Sequence, residues 1–111
     1  MKGYFKFEFN DDERIIIIKS LSLMRDTIQQ EGRETGAIDD ILLKIDNKNK
    51  IEIDRYEIGI IINSLNTMRN KIKEEQKAPT EINEILLKII DETDKKKVFS
   101  RTLTRGNGRR Y

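Results

Sequence analysis

The chain repeats itself, and this internal repeat constrains its fold more than any other feature. The segment "AIDDILLKID" (37–46) returns as "EINEILLKII" (81–90). Residues 7–46 align without a gap to residues 51–90 at a constant offset of 44, and 17 of the 40 aligned pairs are identical. Self-similarity at a fixed spacing indicates a duplicated structural unit.

Each repeat is predicted to begin with a strand. Three phenylalanines alternate with charged residues in "YFKFEF" (4–9), as they do in a strand with one buried face. The equivalent segment "KIEID" (50–54) shows a shorter version of the same alternation. A long helix follows each strand, because Asn10 with Glu13 and Asp54 with Glu57 have the spacing of a capping box.

Apolar residues at helical spacing predict one long and one short helix in each repeat. The long helices are expected to end near Glu31 and Glu75, with Gly32 in the left-handed conformation and Thr35 and Thr80 as caps of the short helices. The predicted core positions of the two long helices are Ile17, Leu21, Met24, Ile28, Ile61, Leu65, Met68 and Ile72, widened by Ile18 and Ile62. Those of the short helices are Ile38, Ile41, Leu42, Ile45, Ile82, Ile85, Leu86 and Ile89, extended by Leu43 and Leu87.

A unit of about 40 residues is close to the size below which a domain needs help to fold. Two copies can bury their apolar faces on each other, as the subunits of a homodimer do before their genes fuse. We therefore predict an α+β, mostly helical fold: a tandem duplication of a strand–helix–helix unit, packed with approximate two-fold symmetry around a small antiparallel sheet. One domain, residues 1–93, contains the repeats 4–46 and 50–93. A basic C-terminal tail, 94–111, follows; its segment "VFSRTLTR" (98–105) has the composition of a third strand, and its end is expected to be disordered.

Composition excludes several classes of function. The chain has no histidine and no cysteine, which removes the commonest general base and the commonest soft metal ligand. It contains no phosphate-binding loop, dinucleotide fingerprint or EF-hand loop. No apolar run approaches the length of a membrane span, and the N-terminus lacks the apolar region of a signal peptide. We expect no catalytic residue, metal site or cofactor, and a non-enzymatic, cytoplasmic protein without a membrane partner.

Some polar residues are repeated although folding alone does not require them. The serine hydroxyls and arginine forks among them suit a carboxylate or phosphate, so a pair of equivalent binding sites is one hypothesis. The candidate binding residues are Ser20, Arg25, Glu31, Lys44, Ser64, Arg69, Glu75 and Lys88.

A structural role for the same residues is the competing hypothesis. Arg25 can bridge to Asp40 and Arg69 to Glu84 on the adjoining short helix. The serines can allow close helix approach, and a lysine near a helix C-terminus complements the helix dipole. In this interpretation none of the repeated polar residues contacts a ligand.

The net charge of +2 hides an uneven distribution. Residues 94–111 contain seven basic residues and one acidic residue, whereas residues 1–93 contain 15 basic and 19 acidic residues. A basic tail can bind a polyanion, or it can stay solvated or fold back onto the acidic body. The candidate nucleic-acid-binding residues are Lys95, Lys96, Lys97, Arg101, Arg105, Arg109 and Arg110.

The second repeat resembles small proteins of phages, prophages and mobile elements of low-GC Gram-positive bacteria. The resemblance rests on "INSLNTMRNKIKEE" (62–75) and the following "INEILLKIIDE" (82–92). It implies an accessory protein of a mobile element, located in the cytoplasm of the host cell. Such proteins often bind and inhibit a host or defence protein, or regulate the genes of the element.

Three functions therefore remain open. The first is that of an interaction protein, monomeric or homodimeric, that binds a protein partner and so inhibits or regulates it. The second is a nucleic-acid-binding regulator that uses the basic tail. The third is a binder of an anionic small ligand or nucleotide at Arg25 and Arg69.

Overall fold

The fold is α+β, with four helices and one small sheet. The computed structural model describes residues 4–46 and 48–105, with side chains described as far as residue 93. The elements follow in the order β1 (Tyr4–Glu8), α1 (Asp11–Gln30), α2 (Gly36–Ile45), β2 (Lys50–Asp54), α3 (Arg55–Glu74) and α4 (Thr80–Arg105). The predicted strands and the mostly helical α+β class are confirmed.

The two strands pair antiparallel into a two-stranded sheet. Phe7 lies opposite Ile51, and Phe5 lies opposite Ile53. These four side chains are buried, whereas the charged residues between them are exposed, so the alternation in sequence corresponds to one buried and one solvated face. The pairing continues past β1, where the Phe9 N–H donates to the Asn49 carbonyl at 2.8 Å.

The capping boxes predicted at the starts of α1 and α3 are both present. The side chain of Asn10 accepts from the Glu13 N–H at 2.8 Å, and the Glu13 carboxylate accepts from the Asn10 N–H at 2.9 Å. Asp54 and Glu57 make the same two bonds at 2.8 and 2.9 Å. Each box satisfies two backbone donors that the first turn of a helix would otherwise leave unpaired.

The helices pack around one core. Helix α1 lies against α3, while α2 packs on α1 and α4 packs on α3. In addition, α2 contacts β2 and α3, whereas α4 contacts β1 and α1. Most of the predicted apolar residues belong to one buried cluster or pack against it. Those that are only partly buried are Ile18, Met24, Ile28, Leu42, Ile62, Met68 and Ile72.

Three details of the sequence prediction are wrong. Leu43 of α2 and Leu87 of α4 are 74% and 60% exposed, so they do not extend the buried apolar faces of these helices. Thr80 is the first residue of α4 and not its cap, whereas Thr35 is the N-cap residue of α2 as predicted, although its hydroxyl makes no cap hydrogen bond. Residues 98–105 belong to α4, so α4 has 26 residues and is longer than α1 and α3, not the short helix predicted for the second repeat, and the described sheet has two strands and no third strand from "VFSRTLTR". The predicted disorder of residues 106–111 lies outside the described residues.

None of the helices within the described ranges combines the length and the apolar character needed to cross a membrane.

Candidate functional site

The repeated serines are interior residues of the helix pair. Ser20 and Ser64 are fully buried. The Ser20 hydroxyl donates to the Ile16 carbonyl at 2.9 Å, and the Ser64 hydroxyl donates to the Ile61 carbonyl at 2.8 Å. Both hydroxyls are thus satisfied within their own helices, so neither is left to bind a ligand.

The arginine of the first repeat has an anionic partner. The Arg25 Nε donates to the Asp39 carboxylate, which also accepts from the Thr35 hydroxyl at 3.0 Å. The bond from Arg25, and secondly that from Thr35, lower the pKa of the Asp39 carboxyl from its ordinary value, because both favour the ionised form. The bridge therefore joins α1 to the start of α2, through Asp39 and not through Asp40 as the sequence suggested.

The arginine of the second repeat is differently placed. Arg69 Nη1 donates to the Asn83 side-chain oxygen at 3.5 Å, the outer limit of a hydrogen bond. Its Nε is buried and has no hydrogen-bond partner among the described residues. The ion pair with Glu84 that the sequence suggested is not among the ion pairs of the described side chains.

The repeated glutamates at the ends of the long helices make local ion pairs. Glu31 lies 3.2 Å from Arg33, and Glu75 lies 3.9 Å from Lys77. All four side chains are at least half exposed. Exposed pairs of this kind contribute little to stability and do not define a binding site.

The repeated lysines cross from one repeat to the other. The Lys44 Nζ lies 2.9 Å from both carboxylate oxygens of Glu57, and the Lys88 Nζ lies 2.8 Å from Glu13. These glutamates are the same residues that complete the capping boxes of α3 and α1. The Lys88 Nζ also lies 5.2 Å from the centre of the Phe9 ring, within range of a cation–π interaction.

The structure does not bring the repeated polar residues together into one pocket. The arginines contact the starts of α2 and α4, and Lys44 lies in the last turn of α2. The serines are buried in the core. Sequence reasoning found the repeated positions but missed Glu13 and Glu57 as the partners of the lysines, although both glutamates are identical between the repeats.

Two grooves lie on the surface where a helical hairpin of one repeat meets the long helix of the other. The larger groove has a volume of about 510 Å³ and lies between the α1–α2 hairpin and α3. Its lining includes Met24, Ile28, Ala37, Ile38, Ile60 and Asn63. The smaller groove, of about 140 Å³, lies between the α3–α4 hairpin and α1. Its lining includes Met68, Ile72, Glu81, Ile82, Ile16 and Lys19.

The two grooves are built from equivalent residues. With the offset of 44, seven of the eight residues that line the smaller groove correspond to residues that line the larger one. Ala37 and Asn63 of the larger groove correspond to Glu81 and Lys19 of the smaller one. Tyr56 also borders the larger groove and is 70% exposed. The two charged side chains are longer than their equivalents and line the groove with the smaller volume.

A third concave surface lies beside the sheet. It has a volume of about 920 Å³ and is lined by both strands, the Lys88–Glu13 ion pair and Glu92 of α4. Its lining is largely charged.

The basic tail falls partly within α4. Lys95, Lys96, Lys97, Arg101 and Arg105 are in the helix, whereas Arg109 and Arg110 lie outside the described residues. Lys97, Arg101 and Arg105 follow one another at intervals of four residues. Residues four apart in a helix are neighbours along one face.

Comparisons of the chain with protein-family models, with curated proteins and with solved structures find no match.

Proposed function

We propose that the chain is a non-enzymatic interaction protein whose larger groove binds an apolar segment of a protein partner. In keeping with the resemblance of its second repeat, we place it among the accessory proteins of phages or mobile elements. It would act in the cytoplasm of the host cell, where it inhibits or regulates a host or defence protein. The observation that carries the proposal is the difference between its two equivalent grooves.

We further propose that the two repeats arose by tandem duplication and pack about an approximate two-fold axis. The strand register supports this, because Phe7 lies opposite Ile51, the residue at its own position in the other repeat. The crossed ion pairs support it as well: Lys44 contacts Glu57, and its equivalent Lys88 contacts Glu13. A two-fold axis requires that such contacts occur twice with the partners exchanged.

A duplication of this kind initially supplies two identical grooves. In the present chain, Glu81 and Lys19 narrow one groove, whereas Ala37 and Asn63 leave the other open. The open groove has gained Tyr56, where the first repeat has Asp12. Tyrosine is enriched at protein interfaces, since its rigid ring covers a large area and its hydroxyl tolerates water.

The shape and lining of the larger groove suit a helix or apolar side chain of a protein. Methionine and isoleucine side chains form its floor, and Glu31, Arg33 and Glu34 lie on its rim. An apolar floor with a polar rim is the usual anatomy of an interface. An amphipathic helix lays its apolar face into a groove of this kind.

The test is to fill the larger groove with the residues that fill the smaller one. The Ala37→Glu/Asn63→Lys variant, and separately Tyr56→Asp, would be compared with wild type in affinity capture from a low-GC Gram-positive lysate followed by mass spectrometry. A matched control is Leu87→Glu, which changes an exposed leucine outside both groove linings. We expect a partner that is captured by wild type and by the control but lost with both groove variants. A partner that all variants capture equally would contradict the role of the groove.

Nucleic-acid binding by the tail is a second candidate, favoured by the spacing of Lys97, Arg101 and Arg105 in α4. A basic face on a helix contacts phosphates, and its affinity falls steeply with salt because counterions are released. The test compares the full chain with a chain that ends at residue 93, measuring affinity for duplex DNA at several salt concentrations. Equal affinity of the two chains, or no affinity in either, would exclude this function.

A further inference from the structure

The two repeats differ in the side chain that contacts the arginine of the long helix. In the first repeat, the Arg25 Nε donates to the Asp39 carboxylate, which is also held by the Thr35 hydroxyl. A carboxylate in this place both neutralises the guanidinium and fixes its orientation. The first repeat therefore contains its own anion.

The second repeat keeps the arginine and lacks the anion. Asn83 stands at the position of Asp39, and Pro79 stands at that of Thr35. Among the side chains that the structure describes, the Arg69 Nε is the one buried nitrogen or oxygen without a hydrogen-bond partner. Buried polar groups are nearly always hydrogen-bonded, so an unpaired guanidinium N–H marks a place where an acceptor belongs.

Nearby positions of the second repeat are also less acidic than their equivalents. Asn70 stands where the first repeat has Asp26, and Lys73 stands where it has Gln29. Lys73 follows Arg69 by four residues in α3, so the two cations are neighbours on the helix surface. A ligand that approaches Arg69 therefore meets a more positive surface than one that approaches Arg25.

We propose that Arg69 binds a carboxylate supplied by another molecule. Asn83, which contacts Arg69, is exposed, so the carboxylate approaches from the Asn83 side, accepts the hydrogen of the buried Arg69 Nε and takes the place that Asp39 holds on Arg25. The amide of Asn83, whose oxygen now faces Arg69, can turn to donate a second hydrogen bond to it. A free small carboxylate and an acidic side chain on a polypeptide offer the same chemistry. The site uses none of the residues that line the larger groove, so it does not rest on the proposal for that groove.

The test follows the Nε–H resonances of Arg25 and Arg69 in ¹H–¹⁵N spectra of the full chain. The Arg69→Lys variant identifies the Arg69 signal. Sodium succinate and a hexaglutamate peptide are titrated separately, each against sodium chloride at matched ionic strength. We expect the Arg69 signal to shift saturably with a carboxylate and not with chloride, while the Arg25 signal stays in place.

Asp39 and Asn83 occupy equivalent positions, so exchanging their side chains provides two matched variants. Asn83→Asp supplies the carboxylate internally, so the apparent affinity for the titrated carboxylate should fall at least about tenfold. Asp39→Asn should make the Arg25 signal respond. A response to succinate assigns the ligand to free carboxylates, and a response to hexaglutamate alone assigns it to polypeptide side chains. The proposal is overturned if neither probe shifts the signal, if chloride shifts it equally, or if Asn83→Asp titrates like wild type.

Discussion

Glu13 and Glu57 each serve two purposes at once. Each accepts a hydrogen bond from the N-cap residue of its own helix, and each accepts another from a lysine of the other repeat. The helix start and the contact between repeats therefore share one carboxylate. Sequence alone identified the capping boxes because their partners are three residues apart. It could not identify the lysine contacts, since Lys88 and Glu13 are 75 residues apart and helical periodicity does not say which helices meet.

The crossed ion pairs should show measurable coupling between the repeats. A double-mutant cycle of Lys44→Met with Glu57→Gln should give a coupling free energy of about 0.5–1 kcal/mol in urea unfolding. The value is modest because the Lys44 side chain remains 34% exposed to solvent. The matched control pairs Lys44→Met with Glu13→Gln, a glutamate at the equivalent position that Lys44 does not contact. Coupling in the control as large as in the first cycle would contradict the crossed arrangement.

Asp39 should make the first repeat sensitive to acid. Its pKa is lowered in the folded chain by the Arg25 and Thr35 hydrogen bonds. The resulting stabilisation is fully present above the unfolded pKa of about 3.9 and is lost as the pH falls through the lower folded value. The Asp39→Asn variant should therefore be less stable than wild type at pH 7, and the difference should shrink between pH 4 and pH 2. Unfolding by urea at a series of pH values would measure this, and a constant difference down to pH 2 would show that Asp39 is not responsible.

At the scale of the elements, the long helices end in the same way with different residues. Gly32 has φ +75°, and Gln76, at the equivalent position, has φ +62°. The next residue after each of these positions donates its backbone N–H to the carbonyl of an isoleucine five residues earlier. Arg33 donates to Ile28 and Lys77 donates to Ile72, both at 3.1 Å. These are the bonds of a Schellman motif, which favours glycine at the left-handed position because other residues are strained there.

Gln76→Gly should stabilise the chain. The substitution relieves the left-handed strain of a non-glycine residue but increases the entropy of the unfolded chain, so the net gain is about 0.5–1 kcal/mol. The reverse substitution, Gly32→Gln, should cost a similar amount, since there is open space around Gly32 and only the backbone opposes a side chain. Thermal unfolding of the two variants measures both effects. A loss of stability with Gln76→Gly would mean that the glutamine side chain contributes more than its backbone strain costs.

The type of each element could be predicted where the local sequence signals agreed with one another. The prediction failed where they did not agree. The alternation in "YFKFEF" and "KIEID" and the two capping boxes fixed the strands and the starts of α1 and α3. The β propensity of "VFSRTLTR" was misleading, because the segment continues a helix that is already formed and has no strand to pair with. Leu43 and Leu87 were assigned to the core because they extend the apolar stripes of α2 and α4, although both side chains are largely exposed. The same limit applies to the site: repeated arginines could be found in the sequence, but the unpaired Nε of Arg69 depends on how the helices pack.

At the scale of the whole molecule, each repeat relies on the other for burial. The paired strands come one from each repeat, and α1 packs against α3. Helices α2 and α4 contact elements of both repeats as well. A single repeat would therefore expose the buried face of its strand and much of its long helix. Burial of that apolar surface is the main favourable term in folding, so neither repeat should be stable as a monomer.

Separating the two repeats tests this account most directly. Fragments 1–48 and 49–111 would be studied alone and as an equimolar mixture, by far-UV circular dichroism and sedimentation velocity at micromolar concentration. We predict that neither fragment forms a folded monomer, and that mixing yields a one-to-one complex with the helicity and cooperative unfolding of the intact chain. A fragment that sediments as a monomer and unfolds cooperatively by itself would contradict the mutual dependence of the two repeats.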